Sequence, residues 1–217
     1  MRHDFVTGST TSRKGRQEMI AMLDTPQDLD SCEDELGAQV EELFTPLTRR
    51  APKRPDKCFA IDNGAFARFD TKLFQNELKK HFERRHLCRF VAVPDVVGSA
   101  IRTLEVFQHW WPELEEHWPL ALVCQDGQES LPIPWEEIQA IFIGGSTDWK
   151  MSESAAQIVK AAKAIGKWVH VGRVNTPGRW EYFEQMGADS CDGTGLARYS
   201  HMRNAVSANN NEPRFDF

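Results

Sequence analysis

Short apolar runs, each stopping abruptly at an acidic, amide or glycine residue, recur along this chain with amphipathic stretches between them. Cys58-Phe59-Ala60-Ile61 stops at Asp62-Asn63-Gly64, and Arg89-Phe90-Val91-Ala92-Val93-Pro94 stops at Asp95. Leu120-Ala121-Leu122-Val123-Cys124 gives way to Gln125-Asp126, Ala140-Ile141-Phe142-Ile143 to Gly144-Gly145-Ser146, and Trp168-Val169-His170-Val171 to Gly172-Arg173. Ser190-Cys191 ends on Asp192. Uninterrupted apolar runs bounded by turn residues are the mark of strands buried on both faces, as in a parallel sheet. With Asp4-Phe5-Val6-Thr7 ahead of Gly8 taken as the first, seven strands are expected.

Helical spacing fills the gaps. Helices are expected over 17–23, 71–85, 99–111 and 153–165, and over a segment opened by Thr176-Pro177, a capping residue and a first-turn proline, that ends near Gly187. The acidic piece 28–42 reads as helical, whereas 48–57 reads as an exposed basic loop in which Pro52 and Pro55 forbid a regular element. Strands alternating with helices make a parallel α/β fold, either an open doubly wound sheet or a (β/α)8 barrel. No Gly-x-Gly-x-x-Gly follows the first strand, and 217 residues match the lower end of barrel sizes. The expectation is a single domain over 1–217: a small (β/α)8 barrel with room for an irregular or incomplete strand, and a flexible tail from 207. Its strand ends would ring one mouth with Asp62, Asp95, Gln125, Gly144, Gly145, Arg173 and Asp192.

Composition narrows the partners. A formal net charge of -6 supplies no global field for nucleic acid, so a polyanion would need local patches. Arg49, Arg50, Lys53, Arg54 and Lys57 form one such patch, and Arg13, Lys14 and Arg16 another. The five cysteines include no Cys-x-x-Cys pair and suit a reduced core and a cytoplasmic setting. No apolar run approaches the roughly 18 residues that span a bilayer, and the first residues lack the apolar region of a signal peptide. His81, His86 and Cys88 lie on and after a charged helix and read as surface and packing residues rather than metal ligands.

The order aspartate, aspartate, glutamine, glycine pair, aspartate at successive strand ends resembles the queuine tRNA-ribosyltransferase superfamily. More narrowly, the chain is similar to its DNA-directed branch, the DpdA-type guanine transglycosylases, over residues 59–198. Asp62-Asn63-Gly64-Ala65-Phe66 matches the family's aspartate, small polar residue, glycines and aromatic. Asp95 matches its base-reading aspartate, Gln125 its glutamine, Gly144-Gly145 its glycine pair and Asp192 its nucleophile, with Arg198 six positions on. The resemblance implies a barrel that replaces guanine in DNA with a free 7-deazaguanine such as preQ0, without a cofactor, and as a homodimer. The sequence departs from the tRNA enzymes at Gly193-Thr194-Gly195-Leu196, and no cysteines follow Cys191 to build their zinc subdomain.

The chemistry calls for these residue types in its own right. Breaking a C1′–N bond passes through an oxocarbenium-like state that a carboxylate, Asp192, can capture as a glycosyl ester. A second carboxylate, Asp62, can protonate the departing base and deprotonate the incoming one. Asp95 and Gln125 can meet the donor-rich edge of a guanine, amides at Gly144, Gly145 and Ser146 its carbonyl, and Phe66 its face. Arg198, Arg173, Arg49, Arg50, Lys53 and Arg54 are the candidate nucleic-acid contacts. Asp189 competes with Asp192 for the role of reactive carboxylate. Exchange in tRNA, a metabolite-directed barrel lyase or hydrolase, and a silent nucleobase-binding barrel are the rival readings.

Overall fold

Eight parallel strands close on themselves in chain order: β1 (Ile20–Leu23), β2 (Val40–Phe44), β3 (Phe59–Ile61), β4 (Cys88–Ala92), β5 (Leu120–Cys124), β6 (Ala140–Ile143), β7 (Trp168–Val171) and β8 (Ser190–Asp192). This is a computed structural model that describes residues 18–25 and 28–211. Around the barrel lie α1 (Leu29–Leu36), α2 (Thr71–His81), α3 (Ala100–Leu114), α4 (Thr147–Lys150), α5 (Glu153–Ala164), α6 (Pro177–Met186), α7 (Thr194–Arg198) and α8 (Ser200–Asn211). The fold is a (β/α)8 barrel, and six of its strands fall on the apolar runs that end in polar residues.

The other two strands correct the sequence reading. The segment expected as a helix over 17–23 is β1, with Ile20, Ala21, Met22 and Leu23 all buried. A row of apolar residues has no period to read, so only its place between two other strands decides its form. Ala21 pairs with Val40 of β2 on one side and Cys191 of β8 on the other, which closes the ring. The acidic helix expected over 28–42 stops earlier. Asp28 caps α1, Gly37 ends it in the left-handed conformation, and β2 follows. The strand proposed at 4–7, Gly8, and the cluster Arg13, Lys14 and Arg16 lie outside the described residues. The tail expected to be flexible from 207 is helical through Asn211, with Val206 buried and Arg203 bonded to Glu35 and to the Leu196 carbonyl.

Two acidic residues sit in β2, which is why it does not read as a strand. Glu42 accepts from the backbone amides of Lys53 and Arg54 and pairs with Arg50. Burial alone would raise its pKa, but those N–H donors and the Arg50 charge outweigh it and hold the carboxyl below its ordinary value. No helix joins β2 to β3; the basic loop does so instead, while His81 of α2 packs on Phe44 and Phe59. Arg54 reaches Asp30, Glu33 and the Val40 carbonyl, while Arg84 stacks over Phe59 at 4.3 Å. Arg50 and Arg54 are therefore not free to meet phosphates as the sequence reading expected, because carboxylates of this same chain hold them.

Strand alternation sends one set of side chains inward. Ala60, Ala92, Ala121 and Ala140 leave room for Phe90, Phe142 and the ring of His170. Between β3 and β4 the register shifts: Phe59 and Ile61 pair with Cys88 and Val91, giving β4 an extra residue. Arg89 thereby joins Phe90 in facing inward. It makes a two-pronged contact with Glu41 at 2.6 and 3.0 Å and lies over Trp168 at 4.8 Å, plugging the N-terminal end of the barrel.

Candidate active site

At the C-terminal mouth lies a cavity of about 290 Å³. This is near the lower end of the roughly 300–1,000 Å³ typical of small-molecule sites. Asp62 and Asp192, which come from opposite regions of the sequence, both line it. β3 delivers Asp62 at its C-terminal end, where the Gly64 amide donates to Oδ1 at 2.6 Å. Burial pushes the Asp62 pKa up to about 7, with the negative charges of Asp192, Asp95 and Asp24 adding to the effect and the Gly64 amide opposing it.

Asp192 closes β8. Its Oδ1 accepts the Arg173 amide at 3.0 Å, and its Oδ2 faces His170 Nε2 at 3.1 Å. Arg173 adopts φ 61, a left-handed conformation unusual for a bulky residue. Its guanidinium donates to the carbonyls of Gly144 and Gly145 and lies 4.4 Å over Phe66, which stands 67% exposed at the rim. Asp189 is elsewhere. It is held by Lys163 at 2.6 Å and by the Val169 amide at 2.8 Å before β8 begins, and it does not line the cavity.

Asp95 forms a buried polar cluster with two amides. Asn63 Nδ2 donates to its Oδ1 at 2.8 Å and Gln125 Nε2 to its Oδ2 at 2.7 Å. Burial raises the Asp95 pKa, against the pull of those two donors and of Arg173. Gln125 Oε1 accepts the Gly98 amide at 2.9 Å, so both ends of the Gln125 side chain already have protein partners.

The amides around the glycine pair are not free either, contrary to the role expected for them. Gly144 and Gly145 both donate to the Cys124 carbonyl, and Ser146 donates its amide and hydroxyl to Asp126 while capping α4. Close packing accounts for the glycines themselves. A Cβ on Gly144 would stand 2.9 Å from Gln125 Nε2, and one on Gly145 2.4 Å from Trp149. Of the three, Gly144 lines the cavity.

Arg198 is exposed one helix turn beyond the cavity-lining Thr194, and Arg49 is exposed two residues beyond the cavity-lining Leu47. Lys53 is exposed on the loop, with its amide on Glu42. The sequence reading missed Asp24, the hold of Asn63 on Asp95, and His170. The first follows β1, which was taken for a helix, and the third lies inside a strand, where only the inward alternation of Trp168, His170 and Gly172 marks it. Among the described residues no group of His, Cys, Asp and Glu side chains is arranged to hold a metal ion. None of the helices described is long and apolar enough to cross a membrane.

Fold and cavity together define a (β/α)8 barrel with four carboxylates, Asp24, Asp62, Asp95 and Asp192, at its mouth and one lining cation, Arg173, among the described residues. No family model matches the chain, and no curated protein does. Solved structures with the same architecture include the phosphoribosyl anthranilate isomerase of Thermus thermophilus. It aligns with a TM-score of 0.52 and 13% identity over 88% of this chain and 97% of that one. A variant of flavocytochrome b2 aligns with a TM-score of 0.50 and 13% identity, over 88% of this chain and 60% of that one. At such identity the likeness is one of fold.

Proposed function

We propose that this barrel exchanges a nucleobase at a glycosidic carbon, replacing guanine in DNA with a 7-deazaguanine. The observation that carries the reading is that Asp62, with a pKa near 7, and Asp192, with the Arg173 amide on one oxygen and His170 Nε2 facing the other, line one purine-scale cavity. In the first half-reaction an Asp192 oxygen bonds to C1′ as the C1′–N bond breaks, and the departing guanine takes a proton from neutral Asp62. In the second, the incoming base gives a proton to the Asp62 carboxylate and bonds to C1′. The ester electrons return to Asp192. A group that titrates near 7 can hold and release that proton at neutral pH.

The charge of the cavity supports the same reading. With Asp62 neutral, Asp24, Asp95 and Asp192 still favour the positive charge that develops on the sugar and a base edge rich in N–H donors, whereas they oppose phosphate. The polynucleotide backbone would accordingly stay at the rim, with Arg198, Arg49 and Lys53 as its candidate contacts, and the target nucleotide would turn inward past Phe66 at a cost of a few kcal/mol. Asp95, held by Asn63 and Gln125, is the candidate acceptor for the base edge.

Radiolabelled guanine placed in DNA or in tRNA, incubated with preQ0, tests the proposal. Release from DNA by the wild type, abolished in Asp192→Asn with base binding retained, is the expected result. Release from tRNA instead reassigns the polymer, and release from neither overturns base exchange.

A further inference from the structure

His170 is wholly buried, two residues into β7, and spans the gap between Ser190 and Asp192 of β8. Its Nδ1 lies 2.9 Å from Ser190 Oγ and its Nε2 3.1 Å from Asp192 Oδ2. The indole of Trp168 donates to the same Ser190 oxygen at 2.8 Å. An indole N–H can only donate, so Ser190 Oγ is an acceptor on that side. Its own hydrogen, in a place closed to water, then has one acceptor within reach, the lone pair of His170 Nδ1. Nδ1 carries no proton under that arrangement, and the ring hydrogen sits on Nε2, aimed at Asp192.

Phe142 and Phe90 wall the imidazole at centroid separations of 4.5 and 5.0 Å, which fixes the plane of the ring. Together with the Arg173 amide on Oδ1, the His170 N–H on Oδ2 leaves the Asp192 carboxylate little freedom to rotate.

We infer that His170 is a positioning residue for Asp192, its tautomer set from two strand positions away by Trp168 through Ser190. The inference rests on the base-exchange reading, and it assigns His170 a role in the second half-reaction. As the C1′–O bond of the glycosyl ester breaks, the electron pair returns to Asp192, and the Nε2–H hydrogen bond strengthens to receive it. No proton leaves the imidazole, because the proton of the exchange is carried by Asp62.

Two measurements test this. Long-range 15N–1H correlation of the imidazoles in 15N-labelled wild type should show His170 as the neutral Nε2–H form, and Asp192→Asn should move that Nε2 resonance. An Nδ1–H form, or an unmoved resonance, overturns the inference. This measurement needs no turnover, so it separates failure of the inference from failure of base exchange, which a wild type without guanine release would reveal.

In turnover, His170→Phe should lower kcat for exchange by ten- to a hundredfold with the KM for the free base unchanged. His170→Gln, whose amide can donate from the place of Nε2, should recover much of that loss, and Ser190→Ala should lose about tenfold. Equal rates in the Phe and Gln variants, or a loss that follows melting temperature alone, overturns the positioning role.

Discussion

The amide of Arg173 donates to Asp192 Oδ1 at 3.0 Å from a backbone in the left-handed region, φ 61. An ordinary side chain there costs about 1–2 kcal/mol relative to glycine. The contacts of the Arg173 N–H with the carboxylate and of its guanidinium with Gly144 and Gly145 offset that cost. Arg173→Ala keeps the strain and loses the guanidinium contacts, whereas Arg173→Gly loses both. The glycine variant should therefore melt higher than the alanine variant, by roughly 1 kcal/mol of stability, while both bind purine base at least about tenfold more weakly than wild type. Denaturant melts and calorimetric titration with preQ0 measure the two effects.

Asp62 leads to a pH dependence whose sign can be fixed in advance. Its folded pKa, about 7, lies above the unfolded value of an aspartate. Between the two the folded chain keeps a proton that the unfolded chain has lost, so stability falls as pH rises from about 4 to 7. Asp62→Asn removes this penalty. At pH 8 the variant should be more stable than wild type by up to about 4 kcal/mol, and at pH 4 the difference should vanish. Urea melts at the two pH values decide it. Base exchange should be lost in the same variant.

Gly145→Ala places a methyl 2.4 Å from the Trp149 ring and 2.7 Å from Asp126 Oδ2. Overpacking of this kind costs about 1–3 kcal/mol. Gly144→Ala instead presses on Val123 and on the Gln125 amide that holds Asp95. The first variant should lose stability with little change in base affinity, and the second should lose affinity as well. Thermal melts alongside preQ0 titration separate them.

Within the basic loop the cations divide by what they touch. Arg54 is tied to Asp30 and Glu33, so Arg54→Glu should destabilise the fold by about 1–2 kcal/mol as two attractive contacts, the one to Asp30 screened by solvent, turn repulsive. Arg49 is exposed, and Arg49→Glu should leave the melt unchanged while weakening DNA binding and reducing its dependence on salt. Melts and binding isotherms over a salt series test both; unchanged DNA binding removes Arg49 from the rim contacts.

The barrel was legible in the sequence wherever an apolar run ended in a polar residue, as at Ile61-Asp62 and Cys191-Asp192. Such runs state both the strand and the direction in which its last side chain points. It was illegible at Ile20–Leu23, which has no period to read, and at Val40–Phe44, whose Glu41 is answered by Arg89 from 48 residues away and whose Glu42 is answered by Arg50 and by the amides of Lys53 and Arg54. Three of the four carboxylates at the mouth, Asp62, Asp95 and Asp192, were named from strand ends, and Asp24 was not. Their hydrogen-bond partners were not, since the occupied amides at Gly144, Gly145 and Ser146 and the doubly engaged Gln125 depend on which strands are neighbours.

Glu41, Arg89 and Trp168 stop the barrel at its far end, which makes the chamber a sack rather than a tunnel. What goes in by the mouth has to back out by it, and a spent molecule must clear before its successor can arrive. Joined to the glycosyl ester proposed on Asp192, traffic of that sort should give a double displacement, whose reciprocal initial-rate lines run parallel as the second substrate is varied.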